Sequence, residues 1–590
     1  MKKPSSNMTI LRRLMLRLLP VQILLAAVGA VNGIVSSYFA SNYVGITAMS
    51  AVGLFAPVQM LITSFGTMLA GGSVILCGQY MGRGERDRMQ NVFSLDLAVS
   101  VLTAILFTAL FAVLSLFDLT GFLTKDPEVR RIFNRYLLGQ AVGVFPLLLG
   151  SQFPAFLALE NKGRRTTWAS IVYIAVNVAL NLLFVRLLRL EAIGLALASA
   201  LGLWVFLAVE AQYYFTDAAQ LRITAKSLRW RECADILRIG FPGAASSGYQ
   251  TLRGLIVNRL LETFVGSVGI SAFAAANNLL GIFWAIPAGM TAVSRLMISV
   301  SIGEEDRQTL TDVTRVMFRW FVPMMYAVAA FIILCAGPFA RIFFRDTAQS
   351  VYMLTVWGFR ILPLCMPLST ICLHFITYGQ ASGKNGLVHT LAVFDGVVSV
   401  AGFTALMIRT VGMNSVYIAN VLNGVVTTLI VILYAWGKKK HFPRNMDELM
   451  AIPDGFGVPE AERMDLTVRS MDEVVAVARQ IQEFCRERGV DERRAYIAGL
   501  CMEEMAGNIV EHGFSKGTRS HVVDVRVVHK DGGVILRVKD DCVPFDPLER
   551  QRLTDGTDPT RNVGLRLVFN IAESVQYQNI FGLNVLTIRI

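Results

Sequence analysis

The residues best suited to chemistry lie near the C-terminus, in the stretch CMEEMAGNIVEHGF (Cys501–Phe514). Glu504 and Asn508 are four residues apart, so a helix would carry both side chains on one face. A carboxylate and a carboxamide one turn apart suit a hydrated Mg²⁺ ion, which prefers hard oxygen ligands and keeps several waters while it bridges phosphates. Since such pairs also occur on ordinary solvated helix faces, this one needs support from other motifs.

Two later motifs supply that support. The stretch VKDDCVPFDP leaves a predicted strand, and its Asp540 could accept a hydrogen bond from an exocyclic amine, which would select adenine. Further on, NVGL places Gly564 and Leu565 at the start of a predicted helix, where backbone N–H groups favour phosphate. Taken in order, the three motifs predict a nucleotide site.

A charged, amphipathic segment that begins near residue 465 must position these residues. The pattern predicts a strand at 466–471, helices at 472–488 and 492–512, two alternating strands joined at 531–533, a glycine-led helix and a closing strand at 584–590. These elements form a soluble α/β domain in two layers, and about 125 residues are enough to bury a core.

In order and spacing, these motifs resemble the GHKL (Bergerat-fold) ATPases, and in particular the single-domain anti-sigma-factor serine kinases. The resemblance runs from about Leu466 to Ile590 and includes the closing pattern SVQYQNIFGLNVLTI. It implies ATP and Mg²⁺ as cofactors, with Glu504 as catalytic base, Asn508 on Mg²⁺ and Asp540 on adenine. Gly564 and Leu565 would then contact the phosphates.

The sequence departs from this family pattern in two places. Cys542 stands where the family has a glycine, two residues after the adenine aspartate, and few glycines precede Gly564. Fewer glycines leave less room for the backbone beside phosphate, so two uses of the site stay open: nucleotide sensing, or transfer of phosphate to a protein serine or threonine. A short polar lid is predicted at 548–561, with a hinge at Asp555-Gly556.

The part of the chain before this domain is a membrane protein by composition. The full chain has 590 residues, of which 54% are hydrophobic, and its apolar runs reach the roughly 20 residues that a spanning helix needs. Twelve spans are predicted, at 18–41, 48–78, 92–116, 136–159, 166–188, 191–214, 240–265, 270–298, 317–341, 357–380, 386–409 and 413–436. The net charge of +12 comes largely from Lys and Arg in short loops, which indicates cytoplasmic loops and no nucleic-acid partner.

One membrane unit occurs twice. GITAMSAVGLF begins at Gly45 and GISAFAAANNL at Gly269, and each copy leads to a charged turn, at 82–88 and at 303–307. Two copies predict a two-lobed transporter with the substrate path between the lobes. We therefore expect an all-α, 12-span membrane domain of two related six-helix halves, at 1–225 and 226–440. A linker at 441–463 and the α/β two-layer Bergerat-type domain at 464–590 follow.

Local signatures of the membrane part resemble the MATE (multidrug and toxic compound extrusion) family over roughly Leu11–Trp436. They include SSYFASNYVGITAMSAVGLFAPV, the turn GRGERDR and NVALNLLFV. The resemblance implies efflux of small organic molecules coupled to H⁺ or Na⁺. Two acids that the family commonly carries in its N-lobe are replaced here, by Ser36 and by Asn181 of the pair Asn177/Asn181.

Asp395 is the acid that lies in the middle of a predicted span, and acids at that depth are costly unless they face a cavity or a partner. By the repeat we expect it to be the C-lobe counterpart of Asn177. A cation site, a substrate contact and a structural ion pair, with Arg253 among the candidate partners, all stay open for it.

We expect a bacterial cytoplasmic-membrane transporter whose termini and ATP-binding domain are cytoplasmic, with lipid and a small organic substrate as partners. One alternative is a membrane-tethered serine kinase or anti-sigma switch, whose membrane half is a receptor and whose partner is a serine-containing regulatory protein. Another is a flippase for lipids or envelope precursors. The chain contains no GxxxxGK[ST] motif, so the nucleotide site is not expected to be a transport motor.

Overall fold

The computed structural model describes residues 6–39, 43–44, 46–122, 127–223, 228–344, 346–514, 521–530, 532–547 and 563–590. The predicted lid at 548–561 and its hinge lie outside these residues. A helical membrane part of two lobes is followed by a small mixed domain, which confirms the predicted fold class.

The N-lobe is built from six long helices. They are α1 (Ser6–Phe39), α2 (Ile46–Arg83), α3 (Arg86–Leu116), α4 (Pro127–Leu159), α5 (Gly163–Asn181) and α6 (Glu191–Ala211). A π-helical segment, Leu182–Leu187, prolongs α5.

The C-lobe repeats this plan with shorter pieces. Its helices are α7 (Arg231–Phe264), α8 (Ser267–Phe283), α9 (Ala285–Gly303), α10 (Arg307–Val316), α11 (Val322–Leu334), α12 (Ala336–Phe343), α13 (Ser350–Ile361), α14 (Cys365–Ala381), α15 (Asn385–Val393), α16 (Ser399–Val411) and α17 (Asn414–Lys439). Two π-helical segments, Met317–Phe321 and Phe394–Val398, join α10 to α11 and α15 to α16.

Eleven helices among the described residues are long and apolar enough to cross a membrane, and the chain is therefore a multi-pass membrane protein. The count of twelve is not fully confirmed. The predicted seventh span corresponds to α7, which is long but carries Arg253, Arg259 and Glu262 along its second half. The predicted eighth span is divided at Trp284 into α8 and α9, and only α9 is long enough on its own.

The two lobes touch closely at one end of the membrane domain. There the last turns of α2 lie against α7 and α9, and no side chain fits where the two surfaces meet. A Cβ atom at Gly72 would clash with the carbonyl of Ile236, and one at Gly82 with the carbonyl of Val300. The contact is reciprocal, since a Cβ atom at Gly303 would clash with the carbonyl of Gln79.

This end of the membrane domain also carries the C-terminal domain, and we call it the domain side. Both repeated charged turns lie here: the N-lobe turn (82–88), between α2 and α3, and the C-lobe turn (303–307), between α9 and α10. The linker that follows α17 contains the short helix α18 (Met446–Leu449) and is held to the C-lobe by Arg307, which pairs with Asp447 at 2.7 Å.

The C-terminal domain has a five-stranded antiparallel sheet in the order β1-β2-β3-β5-β4. Its strands are β1 (Arg463–Val468), β2 (Val523–Lys530), β3 (Gly533–Asp540), β4 (Ser574–Ile580) and β5 (Leu583–Arg589), and its helices are α19 (Met471–Glu487), α20 (Glu492–Asn508) and α21 (Val563–Ile571). Alternate residues such as Val525, Leu536 and Ile588 are fully buried against the helices. Burial alternates along β2 and β3, which gives this part of the sheet an apolar inner face and a polar outer face.

Candidate nucleotide pocket and membrane acids

A cavity of about 650 Å³ opens between the end of α20, the loop after β3 and the start of α21. Asn508, Asp540, Gly564 and Leu565 line it, so three separate sequence motifs meet in one place. Its volume falls within the range of about 300–1,000 Å³ that is typical of small-ligand sites.

Glu504 lies one helical turn before Asn508 on α20 and faces the start of α21. A Cβ atom at Gly564 would clash with its carboxylate oxygen Oε2, so the backbone of Gly564 packs directly on the Glu504 side chain. A larger residue at this position would require the Glu504 side chain to move. The start of α21 therefore lies beside the Glu504 carboxylate, and Asn508 lines the same cavity as Gly564 and Leu565.

Asp540 ends β3 and is 4% exposed. Its Oδ1 atom accepts hydrogen bonds from the Cys542 backbone N–H at 2.9 Å and from the Asn584 amide at 2.8 Å. Burial raises the pKa of this carboxyl, while the bonds from Asn584 and Cys542 oppose the shift. A carboxylate has about four acceptor positions, so Asp540 keeps capacity for a further donor from the cavity.

Asn584 is a site residue that the sequence analysis missed. It lies directly opposite Asp540 in the β3–β5 register, and its Oδ1 accepts from the Tyr577 hydroxyl at 2.8 Å. The resulting chain, Tyr577 to Asn584 to Asp540, is buried and fixes the carboxylate. The only sequence signal was a polar residue within the closing strand.

Cys542 occupies the position where the resembled family has glycine. Its buried Sγ atom lies against Gly513, and a Cβ atom added at Gly513 would be 3.1 Å from that sulfur. Burial, followed by the nearby Asp540 charge, raises the pKa of the thiol, so the side chain is a neutral apolar part of the cavity wall.

The proposed membrane acid, Asp395, lies in the π-helical segment between α15 and α16. Its Oδ1 accepts from the Asn423 amide at 2.8 Å, whereas Arg253 donates to the Asp395 backbone carbonyl at 3.2 Å. π-helical turns are frequent at functional sites. Asn177 and Asp395 lie in corresponding elements of the two lobes, α5 and the π-helical segment that follows α15, and their one-to-one match by the repeat stays a prediction.

The N-lobe amides bond to each other. The Asn181 amide donates to the Asn177 backbone carbonyl at 2.8 Å, and both side chains are buried where α5 passes into its π-helical segment. Ser36 is half-buried near the end of α1. None of the hydrogen bonds among the described residues joins Ser36 or this amide pair to Asp395, so the candidate residues of the two lobes stay separate.

The N-lobe also holds a buried acid that is not among the predicted site residues. Asp96 is fully buried ten residues into α3, about 15 Å along the helix, and accepts from the Ser73 hydroxyl of α2 at 2.7 Å. Its Oδ2 atom has no hydrogen-bond partner among the described residues. The signal was an acid inside the apolar run SLDLAVSV.

Comparison with known proteins identifies both parts. The MatE family model matches residues 24–183 and 242–401, one match in each lobe. The chain belongs to the MatE family. A histidine kinase-like ATPase domain model matches residues 468–590. The two MatE matches also confirm the internal repeat.

Curated relatives are distant. This MatE chain is 25% identical over 342 residues to the probable multidrug resistance protein NorM of Halalkalibacterium halodurans, covering 56% of the chain and 73% of the relative. It is 24% identical over 192 residues to the probable multidrug resistance protein NorM of Bacillus subtilis, covering 31% of the chain and 42% of the relative.

Solved structures share the fold. A multidrug resistance MATE family transporter of the MOP superfamily, in its outward-facing conformation, superposes with a TM-score of 0.68 at 20% identity, over 76% of this chain and 99% of that one. A MOP superfamily transporter from Pyrococcus furiosus, whose binding pocket has reversed polarity, gives 0.66 at 20% identity over the same shares.

Proposed function

We propose that this MatE protein exports small organic molecules and that Mg²⁺-ATP binding to its C-terminal domain regulates the export. The observation that carries the regulatory part is the position of β3. Asp540 at its end lines the nucleotide cavity, and the preceding residue, Lys539, pairs with Glu304 of the C-lobe turn at 2.8 Å. A structural change at Asp540 would therefore occur one residue away from an ion pair with the membrane domain.

The pocket fits Mg²⁺-ATP. Asp540 would accept the adenine amine, Asn508 would hold Mg²⁺, and the N–H groups of Gly564 and Leu565 would face the phosphates. When bound, the nucleotide supplies a transferable phosphoryl group. Glu504, which packs on Gly564, would take a proton from an attacking hydroxyl, so serine phosphorylation of a partner protein is the second proposed use of the same site.

Coupling of export to an ion gradient is assigned to Asp395. Its carboxylate faces an amide partner, Asn423, rather than a countercharge, and it lies in a π-helical turn between two apolar helices. Such a carboxylate can exchange H⁺ or Na⁺ without breaking an ion pair.

We further propose that the domain side is cytoplasmic and that the membrane is the bacterial inner membrane. Basic side chains crowd the short connections on that side: Arg83, Arg86, Arg88, Lys162, Arg164, Arg165, Lys438, Lys439 and Lys440. Clusters of Lys and Arg in short loops mark the cytoplasmic face.

The test is efflux of ethidium, a lipophilic cation, from vesicles that contain the purified full chain, with a pH or Na⁺ gradient and with or without Mg²⁺-ATP on the domain side. We expect gradient-driven efflux whose rate changes with nucleotide in the parent and not in Asp540→Asn. The second candidate, a serine kinase switch with a receptor-like membrane half, is favoured by the amide replacement at Asn181. Ligand binding by the membrane half that does not depend on the gradient, together with phosphate transfer to a protein, would support this second candidate.

A further inference from the structure

The outer face of the sheet is a second functional surface of the C-terminal domain. Arg526 and Lys530 on β2 and Arg537 and Lys539 on β3 point away from the helices, toward the membrane domain. These four residues are the basic outer face. In a domain that acted only as a nucleotide site, this face would meet solvent.

The basic outer face binds the C-lobe turn through ion pairs. Glu304, with a side chain 3% exposed, lies 2.8 Å from Lys539 Nζ and 3.5 Å from Arg537 Nη1. Asp306, 2% exposed, pairs with Arg526 and also caps α10 by accepting from the Thr309 N–H at 2.8 Å. Burial alone would raise the pKa of Asp306, but Arg526 and Lys539 hold it well below its usual range.

The same sheet reaches the N-lobe from its other edge. Arg86 of the N-lobe turn donates to the Tyr577 backbone carbonyl at 3.0 Å, and Gly84, with φ +77°, faces the Gln576 side chain. The β4–β5 hairpin packs against the membrane domain, because Phe581 is 1% exposed and belongs to the main hydrophobic cluster of that domain. At its tip, Gly582 faces Asn161, which lies two residues after the end of α4 in the N-lobe.

The two turns that the sheet binds are also the ends of the helices that close the lobes together. Gly82 contacts Val300, and Gly303 contacts Gln79, within a few residues of Arg86 and Glu304. A rigid sheet that contacts both turns opposes any motion that would part α2 from α9. MatE lobes that alternate access must part on this side to admit substrate from it.

We propose that the docked C-terminal domain is a lock that holds the two lobes together on the domain side, so that undocking is required before this side can open. The inference rests on the proposed transport function for its consequence, but its measurement needs neither substrate nor transport. The nucleotide pocket is placed to act on the lock through Asp540 and Lys539, which are adjacent on β3.

The experiment measures two distances by spin labelling of the full chain. Arg164 and Asn385, both exposed, lie at the domain-side starts of α5 and α15 and report on the two lobes. A second pair, Arg164 with Gln480 on the exposed face of α19, reports on docking. Cys233 and Cys335 are replaced by Ser, because the other six cysteines are buried.

The double variant Arg537→Glu/Lys539→Glu places two carboxylates opposite those of Glu304 and Asp306, so that like charges repel each other at the docking surface. We expect both distance distributions to shift to larger values, and Glu304→Lys in the same chain to restore part of each shift. The matched control is Arg479→Glu, which changes the charge of an exposed residue on the far side of the domain. A domain that stays docked in the double variant, or lobes that stay together after it has left, would overturn the proposal. Failed ethidium efflux with the expected distances would refute only the transport function.

Discussion

At the scale of single residues, the candidate nucleotide pocket is built on a buried polar chain as well as on the groups that line it. Tyr577, Asn584 and Asp540 come from three strands and satisfy one another away from water. Paired buried groups of this kind add little net free energy of unfolding, whereas removal of one partner lowers that free energy considerably.

Asn584→Ala should lower the free energy of unfolding of the C-terminal domain by about 1–3 kcal/mol, because Asp540 loses a donor and the Tyr577 hydroxyl loses its acceptor. It should also weaken binding of a fluorescent ATP analogue at least tenfold, since Asp540 is no longer fixed. Chemical denaturation and nucleotide titration of the full chain measure the two effects. Tyr577→Phe is the milder control, and binding as tight in Asn584→Ala as in the parent would contradict the role.

The positions of Glu504 and Asn508 on one helix and of Asp540 at the end of a strand could be predicted from the sequence, because helical spacing and turn chemistry are local. Asn584 could not, because its role arises from the β3–β5 register, which pairs it with Asp540 forty-four residues earlier in the chain. Asp96 shows the same limit in the membrane. Its sequence context gives its depth only roughly, and Ser73, its partner, lies on another helix.

Asp524 on β2 gives the docked domain a dependence on pH. Burial raises the pKa of its carboxyl to about 6, although Lys539 and Arg526 act in the opposite direction. The pKa of Asp524 in the folded state therefore lies above its unfolded value of about 3.9, and the protonated side chain stabilises the fold. This contribution is fully present below about pH 3.9 and is lost as the pH rises through about 6.

The thermal unfolding midpoint of the parent should therefore fall from about pH 4 to about pH 7 by more than that of Asp524→Asn, which has no proton to lose there. Fluorescence-detected unfolding of the full chain in detergent at a series of pH values measures this difference. The two proteins should have equal slopes above about pH 7, and equal slopes over the whole range would show that Asp524 does not titrate there.

At the scale of elements, the closest helix contact is between α2 and its C-lobe neighbours, and adjacent glycines offer a matched pair of tests. A Cβ atom at Gly72 would clash with the carbonyl of Ile236, whereas nothing lies within 4 Å of one at Gly71. Gly72→Ala should destabilise the chain by about 1–3 kcal/mol through overpacking. Gly71→Ala should be neutral or stabilise it by up to about 1 kcal/mol, since it removes helix-interior glycine.

Unfolding in detergent measures both variants under one condition. A loss of stability in Gly71→Ala as large as that in Gly72→Ala would mean that the effect comes from α2 itself rather than from the contact between lobes. The length of its apolar run predicted α2 as a span but gave no information about this contact, because the contact depends on how α7 and α9 cross α2.

At the scale of the whole molecule, a substitution in the membrane domain should abolish transport without affecting nucleotide binding by the C-terminal domain. Asp395→Asn removes the ionisable group but keeps a hydrogen-bonding side chain beside Asn423, so we expect loss of pH- or Na⁺-gradient-driven ethidium efflux with unchanged folding. Binding of the ATP analogue should be unaffected, since the pocket lies in the other domain. Full gradient-driven efflux in Asp395→Asn would remove this residue from the coupling site.

The anchored linker has a consequence for how the C-terminal domain leaves and returns. Lys384 donates to the carbonyls of Met450 and Ala451 at 3.1 and 2.5 Å, and Arg307 donates to the carbonyl of Phe456 at 3.2 Å, so the free tether begins only after Phe456. About six residues then lead to β1, a reach of at most roughly 20 Å. A released domain remains at an effective concentration near the millimolar range beside its own two turns. Release is therefore a unimolecular equilibrium that dilution does not alter, and a neighbouring copy's domain cannot compete for the turns at ordinary abundance.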